Sequence, residues 1–396
     1  MKKICFILII AFIISYCSKI HSKINDTVTI TFIGDVIMHG PVKSFAFRNN
    51  INDPKTGKSI NNGGFDILFE NIKQEFTSSD YVVANMEFPI APPYTSKAFI
   101  FNCPPYVLDA FKKININMVT IANNHILDQA YDGLLSTINM LESKNIQYIG
   151  VIKKNNNNTT NGIIVGNKEV KVGIIAYTGV LNYDLSKKYK NYIHINNFYD
   201  TKKVLDDITE IKNKCDFLVM IAHIGNEYST QPSKNDMNII RTYCQAGIDC
   251  VIGHHPHVIQ PVEQFTSLDG RTCTVFYSLG NFIANQSSTH YDSKSGVKCS
   301  TREGLIVSLI LEKDEKKRIY HKFNIIPIMI YNVPDTESKY KYGRRIQPIA
   351  LKQYIRKRQE DKNDNSIEIK KINNRIQEIK KHLFLYGLHE NIIYSD

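Results

Sequence analysis

Thr27-Val28-Thr29-Ile30-Thr31-Phe32-Ile33-Gly34-Asp35 is the stretch that decides the fold. Thr27–Ile33 is apolar or β-branched almost throughout and reads as a buried strand, which stops abruptly at Gly34-Asp35. Strand ends are where α/β folds build their sites, so a carboxylate in that position is worth following outward. Four further segments have the same design. Asn85-Met86-Glu87 ends the strand Tyr81–Asn85, and Asn123-Asn124-His125 follows Met118–Ile121. Ala222-His223 closes Phe217–Ala222, and Gly253-His254-His255-Pro256-His257 follows Cys250–Ile252. Between these strands, helical spacing predicts helices at Phe65–Phe76, Val107–Lys113, Asp132–Ser143, Thr201–Lys212 and Asp236–Ala246. A further strand starts at Asn145–Ile149, and a hairpin around Gly166-Asn167 joins Gly162–Val165 to Val170–Ala176. Thr274–Ser278, Gly304–Leu311 and His321–Ile330 add a later run of strands. The pattern is an α/β layered domain with a partly antiparallel sheet.

A single Asp or His at a strand end is more often a cap or a satisfied core group. Together the five segments supply two carboxylates, an amide oxygen and at least three imidazoles. Such a mixed set suits manganese, zinc or iron, whereas calcium and magnesium prefer oxygen alone.

The order and spacing of these segments resemble the metallophosphoesterase pattern of Asp, second carboxylate, Asn-His, lone His and His-x-His. They are more closely similar to one branch, the CapA family of poly-γ-glutamate capsule-synthesis proteins. The matching stretches are Gly34–Met38, Asn85–Pro89, Ala122–Asp128, His223–Tyr228, Gly253–Val258 and Tyr277–Phe282. The resemblance runs from about Thr27 to Leu311. It implies a metallophosphoesterase-like four-layer αββα sandwich holding two divalent metal ions (Mn, Zn or Fe). In that scheme Asp35 binds one metal and Glu87 bridges both, while Asn124, His223, His255 and His257 complete the shells. His125 is the expected general acid and Asp128 its orienting partner. Asn123, Glu227 and Tyr228 are the expected substrate contacts. His254 is read as a spacer beside His255-Pro256-His257, and the Tyr277–Phe282 turn as structural. Two departures stand out. The superfamily's Asp-x-His is absent because Ile37 holds the second position, which leaves a ligand missing unless His39 swings in. The chain also has no Trp, so the family's His-Trp-Gly-x-Glu-Tyr appears as His223-Ile224-Gly225-Asn226-Glu227-Tyr228.

The N-terminus adds a location. Lys2 and Lys3 precede the apolar run Ile4–Ile14, too short for a comfortable membrane span, and Ser15-Tyr16-Cys17 follows. Residues 1–17 read as a lipoprotein-type signal with Cys17 as the lipidation site, and 18–26 as a tether. The protein is thus expected outside the cytoplasm, held at the membrane by lipid. Residues 27–333 form the CapA-like domain, and 334–396, dense in Lys, Glu and Asn, a helical C-terminal extension. The Asn155–Asn158 run reads as a surface turn. No C-x-x-C spacing occurs among the eight cysteines, which excludes zinc-ribbon and thioredoxin readings. The net charge of +11 comes from scattered rather than clustered Lys, and no nucleic-acid module is recognisable. The expected function is metal-dependent hydrolysis of a phosphoester or related anionic bond in capsule or surface-polymer synthesis, alongside capsule synthase or export proteins. The rival is a non-catalytic polyanion-binding component of the same process.

Overall fold

Strand β1 (Thr27–Val36) carries Val28, Ile30 and Phe32 on one face and Ile33 and Val36 on the other, all buried. A strand apolar on both faces must lie in a sheet covered on both sides. The computed structural model describes residues 27–153, 162–286, 290–291, 298–336, 343–361, 366–387 and 391–395. The expected signal with Cys17, the tether and the Asn155–Asn158 turn lie outside the described residues.

The first half alternates β2 (Tyr81–Met86), β3 (Ile116–Thr120) and β4 (Gln147–Ile149) with helices α1 (Gly40–Arg48), α2 (Tyr106–Lys113) and α3 (Ala130–Ser143). A short pair, β5 (Val151–Lys153) and β8 (Ile193–Ile195), flanks the hairpin β6 (Gly162–Gly166) and β7 (Lys171–Thr178). Then come α4 (Thr201–Lys212), β9 (Phe217–His223), α5 (Lys234–Ala246) and β10 (Cys250–His254). Strands β11 (Val262–Thr266), β12 (Thr272–Phe276) and β13 (Asn281–Ile283) precede a two-residue pair, β14 (His290–Tyr291) and β15 (Lys298–Cys299). The chain ends with β16 (Glu303–Lys313), β17 (Ile319–Pro334), β18 (Arg344–Ala350), α6 (Leu351–Glu360), α7 (Ser366–Leu383) and β19 (Ile392–Tyr394).

Among the described residues, one sheet runs β18-β17-β16-β1-β2-β3-β4, with β13 beside β1 and β19 beside β17. The second runs β11-β12-β10-β9-β7-β6. Strands β1 to β4 are mutually parallel, as are β7, β9, β10 and β12. The core divides into three apolar layers, and these define four layers of structure. Val28, Phe32 and Val83 of the first sheet meet Val172, Val219 and Ile252 of the second in the inner layer. Phe111 of α2 and Leu134 and Ile138 of α3 cover the far face of the first sheet. Val204 and Ile208 of α4 and Ile240 and Tyr243 of α5 cover the far face of the second. The molecule is an αββα sandwich.

Two stretches differ from the sequence reading. Phe65–Phe76 has helical apolar spacing, yet it folds as two tight 3-10 turns, Asn62–Phe69 and Lys73–Phe76. Gly64 adopts φ +85° with its Cα so close to the chain that a Cβ would lie 1.8 Å from the Ala46 carbonyl oxygen. That close approach pins the segment against the end of α1, and the tight turns then plant Phe65, Leu68 and Phe69 in the core. The stretch 334–396 does contain helices α6 and α7, but it also contributes β18 and β19 to the first sheet. Ile376, Ile379 and Leu383 of α7 join the inner apolar layer, and Arg375 grips Glu303 of β16 through two contacts of 2.7 Å. Lysine-dense composition hid this, because only a narrow stripe of α7 is apolar.

Candidate metal centre

Strand parity aims the polar residues at each other. On β9, Phe217, Val219 and Ile221 face the inner layer, so His223 in the same phase faces it too. On β10, Cys250 and Ile252 bring His254 inward, and on β2 Val83 brings Asn85 inward. By the same count β1 would point Asp35 the wrong way. The register shifts between Ile33 and Asp35, however, making Gly34 the extra residue of a bulge that turns Asp35 inward. Only glycine fits there, since a Cβ on Gly34 would lie 2.1 Å from the Gly280 carbonyl oxygen. That carbonyl instead accepts the Asp35 amide proton at 3.0 Å.

The result is a buried polar cluster at the carboxyl ends of both sheets. Asp35 Oδ1 accepts from Asn85 Nδ2 (2.8 Å) and contacts His254 Nδ1 (2.8 Å). Its Oδ2 accepts from the His255 amide (3.3 Å) and lies 3.2 Å from His257 Nδ1. Asn85 also donates to Glu87 Oε2 at 3.2 Å and is itself held by Asn123 Nδ2 at 3.1 Å. His223 Nε2 meets Asn124 Oδ1 at 2.9 Å. The loop after β10 bends sharply, with His255 at φ +96° and His257 at φ +59°. Such left-handed backbone in non-glycine residues is strained and persists where surrounding contacts impose it. Asn281 supplies one of them, its Oδ1 lying 3.1 Å from His257 Nδ1.

The structure thus gathers Asp35, Glu87, Asn124, His223, His255 and His257, with His125, Asp128 and Asn123 beside them. His125 Nδ1 is bound to Asp128 Oδ2 at 2.8 Å, and its ring packs on Phe101 at 4.2 Å between centroids. Glu227 is exposed at the rim, grouped with His255 and His257, and Tyr228 lies 6.1 Å ring to ring from His257. A cleft of about 570 Å³, lined by His39, Phe99, Phe101, His125, Tyr228 and His257 among others, opens onto the cluster. His39 stays outside the candidate ligand groups of the described residues, its Nδ1 accepting the Asn285 amide proton at 3.1 Å. His254 is a partner of Asp35 rather than a spacer, because β10 extends as far as His254 and turns it inward. Asn85 and Asn281 join the site beyond the expected residues. The parity of Val83-x-Asn85 is the signal for the first, and the matching stretch Tyr277–Phe282, read as a structural turn, is the signal for the second.

Burial sets the electrostatics. It pushes the Glu87 carboxyl well above the ordinary carboxylate range, and the charge of Asp35 adds to this. Burial alone would raise Asp35 as well, but bonds from His254 and His257 hold it well below its usual value. His257 loses affinity for a proton through burial, yet the Glu87 carboxylate and Asp35 outweigh that and lift it to about 9. His255 is lowered to about 4 by burial and then by His257, and His223 falls well below its usual value by burial and then by His255.

Whether these groups suit a cation can be tested on Glu87. Its Oε1 is buried with no hydrogen-bond partner. It lies 4.0 Å from His125 Nε2, 4.0 Å from His223 Nε2 and 3.8 Å from His257 Nε2. These separations exceed hydrogen-bond length. Donors each ~2.1 Å from a shared ion lie ~3 Å apart at a right angle and up to ~4.2 Å apart in line. The spacings of Glu87 Oε1 from His223 Nε2 and His257 Nε2 therefore suit divalent-cation ligation. Two candidate ligand groups, Asp35-Glu87-His257 and Glu227-His255-His257, share His257. A carboxylate buried this way destabilises the metal-free chain. In the presence of chelator, Glu87→Gln is expected to raise the unfolding free energy by ~1–3 kcal/mol, read as a higher urea midpoint. With Mn2+ added the order should reverse, and a wild type more stable than the variant in both conditions would contradict this account.

Comparisons with known proteins place the fold in a family. The PGA biosynthesis protein CapA of Bacillus subtilis (strain 168) is 25% identical over 332 residues, covering 81% of this chain and 76% of that protein. The capsule biosynthesis protein CapA of Bacillus anthracis is 25% identical over 287 residues, covering 70% of this chain and 65% of that protein. Among solved structures, the calcineurin-like phosphoesterase YfkN from Bacillus subtilis matches with a TM-score of 0.38 and 17% identity, covering 76% of this chain and 90% of that one. Residues 29–286 match the family described as "Bacterial capsule synthesis protein PGA_cap", a span that holds every candidate ligand from Asp35 to His257. The chain belongs to that family of capsule synthesis proteins.

Proposed function

We propose that the chain is an exported, lipid-anchored hydrolase that uses two divalent metal ions to cleave a phosphoester or related anionic bond during assembly of a capsule polymer of the poly-γ-glutamate type. The observation that carries the reading is Glu87 Oε1, buried, unpartnered and ringed by three imidazole nitrogens at 3.8–4.0 Å. Family membership supplies the biological setting. Asp35, Glu87, Asn124, His223, His255 and His257 would hold the ions, with Glu227 at hand on the rim. Such ions, when bound, lower the pKa of water and neutralise a phosphoryl oxygen.

The chain's own residues do the rest. His125 is fixed by Asp128 at Nδ1 and by Phe101 against its ring, leaving Nε2 directed at Glu87 and the cleft. From Nε2 it gives a proton to the leaving oxygen as the ester bond to that oxygen breaks. Asp128 Oδ2 accepts from Nδ1–H, so that the proton transferred is the second ring proton, on Nε2. Tyr228 and Glu227 sit where the cleft meets the ligands, and Asn123 braces Asn85 from behind. Export and anchoring are supported by the short apolar run before Cys17, and no helix among the described residues is long and apolar enough to cross a membrane.

One observation favours the rival, a polyanion-binding protein without turnover. Both Asp35 oxygens are already engaged by protein groups, and Ile37 stands where the superfamily places a first-motif His. Turnover separates the two readings. With Mn2+ supplied, wild type should hydrolyse a generic phosphodiester or phosphomonoester, and His125→Ala should lose ~10²–10⁴-fold in rate while Mn2+ binding is kept. Inert wild type would sink the hydrolase, and an unchanged rate in His125→Ala would sink the acid role. For the anchor, Cys17→Ser should move the protein out of the membrane fraction and abolish labelling by a palmitate analogue. Retention with full labelling would show the site to be elsewhere.

A further inference from the structure

The loop after β7 reaches into the centre through Asn182. Its backbone N–H donates to the Asn124 carbonyl at 3.1 Å, and its Oδ1 accepts from Asn124 Nδ2 at 3.3 Å. Asn124 therefore presents its NH2 group to Asn182 and its oxygen to His223 Nε2, 2.9 Å away. The loop is itself tied to the site's scaffold. The Gly179 amide donates to the His223 carbonyl at 3.0 Å, and Thr178 Oγ1 donates to the Val180 carbonyl at 2.7 Å. The other end of the Asn182 amide comes within 3.4 Å of His125 Nδ1, a nitrogen already committed to Asp128.

An asparagine can ligate a cation only through its oxygen, because the NH2 group has no lone pair to offer. The two ends of the amide are nearly equal in size, so packing alone does not choose between them. What chooses is the hydrogen-bond partner on the side away from the ion. We infer that Asn182 is a positioning residue, which sets the amide orientation of Asn124 so that its oxygen faces the cation. This rests on the metal-site reading above and adds a residue outside every motif recognised in the sequence. Partners of this kind are commonly worth ~10–100-fold in metal affinity.

The test is a calorimetric titration of the full chain with Mn2+ alone, comparing wild type, Asn182→Ala and Asn182→Asp, each first shown to be folded by circular dichroism. Asn182→Ala should weaken binding ~10–100-fold, whereas Asn182→Asp, which keeps an acceptor oxygen in place, should stay within ~3-fold of wild type. Equal affinity in wild type and Asn182→Ala would overturn the inference. So would an equal loss in both variants, which would mark a purely structural loop. A wild type that binds no Mn2+ would overturn the metal-site reading and this inference with it, and that outcome is distinguishable because all three proteins would then be silent.

Discussion

The site is arranged around the buried carboxylate of Glu87. A carboxylate oxygen with no partner, deep between two sheets and facing three imidazole nitrogens, is an arrangement that a purely apolar interface would not contain. Its position depends on both sheets at once. Asp35, Asn85 and Glu87 arrive from the first, His223 and His254 from the second, and register within each sheet sets their depth. Asp35 pairs with Asn85 and Asn281, and His223 with His254, so one rung of each ladder delivers several groups to the same level. On β2, β9 and β10 the inner apolar layer ends two residues below that rung, at Val83, Ile221 and Ile252. The packing beneath it is apolar, mostly Val, Ile, Phe and Leu, and holds the two rungs at a fixed separation.

Local backbone irregularities finish the arrangement. The bulge at Gly34 re-aims Asp35, and the loop with left-handed backbone at His255 and His257 sets His257 beside Glu87 and His255 with Glu227. Each is unfavourable in isolation, by about 1–3 kcal/mol for a strained residue. They are tolerated because the sandwich below is large and because Asp35 and Asn281 hold the His255 amide and the His257 ring. The C-terminal helix α7 belongs to the same support, since its apolar stripe closes the inner layer.

Most of the candidate site was legible because each ligand follows an apolar strand, and apolar strands are easy to find. His223 could be placed from the phase of Phe217, Val219 and Ile221 alone. For His254 the phase information is lost when the strand is ended at Ile252, two residues short of its true end. Asp35 could be placed only in outline, since the bulge that aims it leaves no mark except a glycine. Asn182 is beyond any local pattern, because its partner Asn124 lies in a distant loop and its own surroundings read as loop. The αββα layering followed from strands alternating with helices. The strands within 334–396 did not, because Arg344-Arg345-Ile346-Gln347-Pro348 looks nothing like a buried strand until β17 lies beside it.

The most direct test of the central claim is elemental analysis of protein purified without chelator, for wild type and for Glu87→Ala. About two transition-metal ions per chain in wild type, falling below about one in the variant, is the predicted result. Equal metal in both proteins, or none in either after manganese or zinc is supplied, would contradict it and leave the buried carboxylate without a cation to explain it.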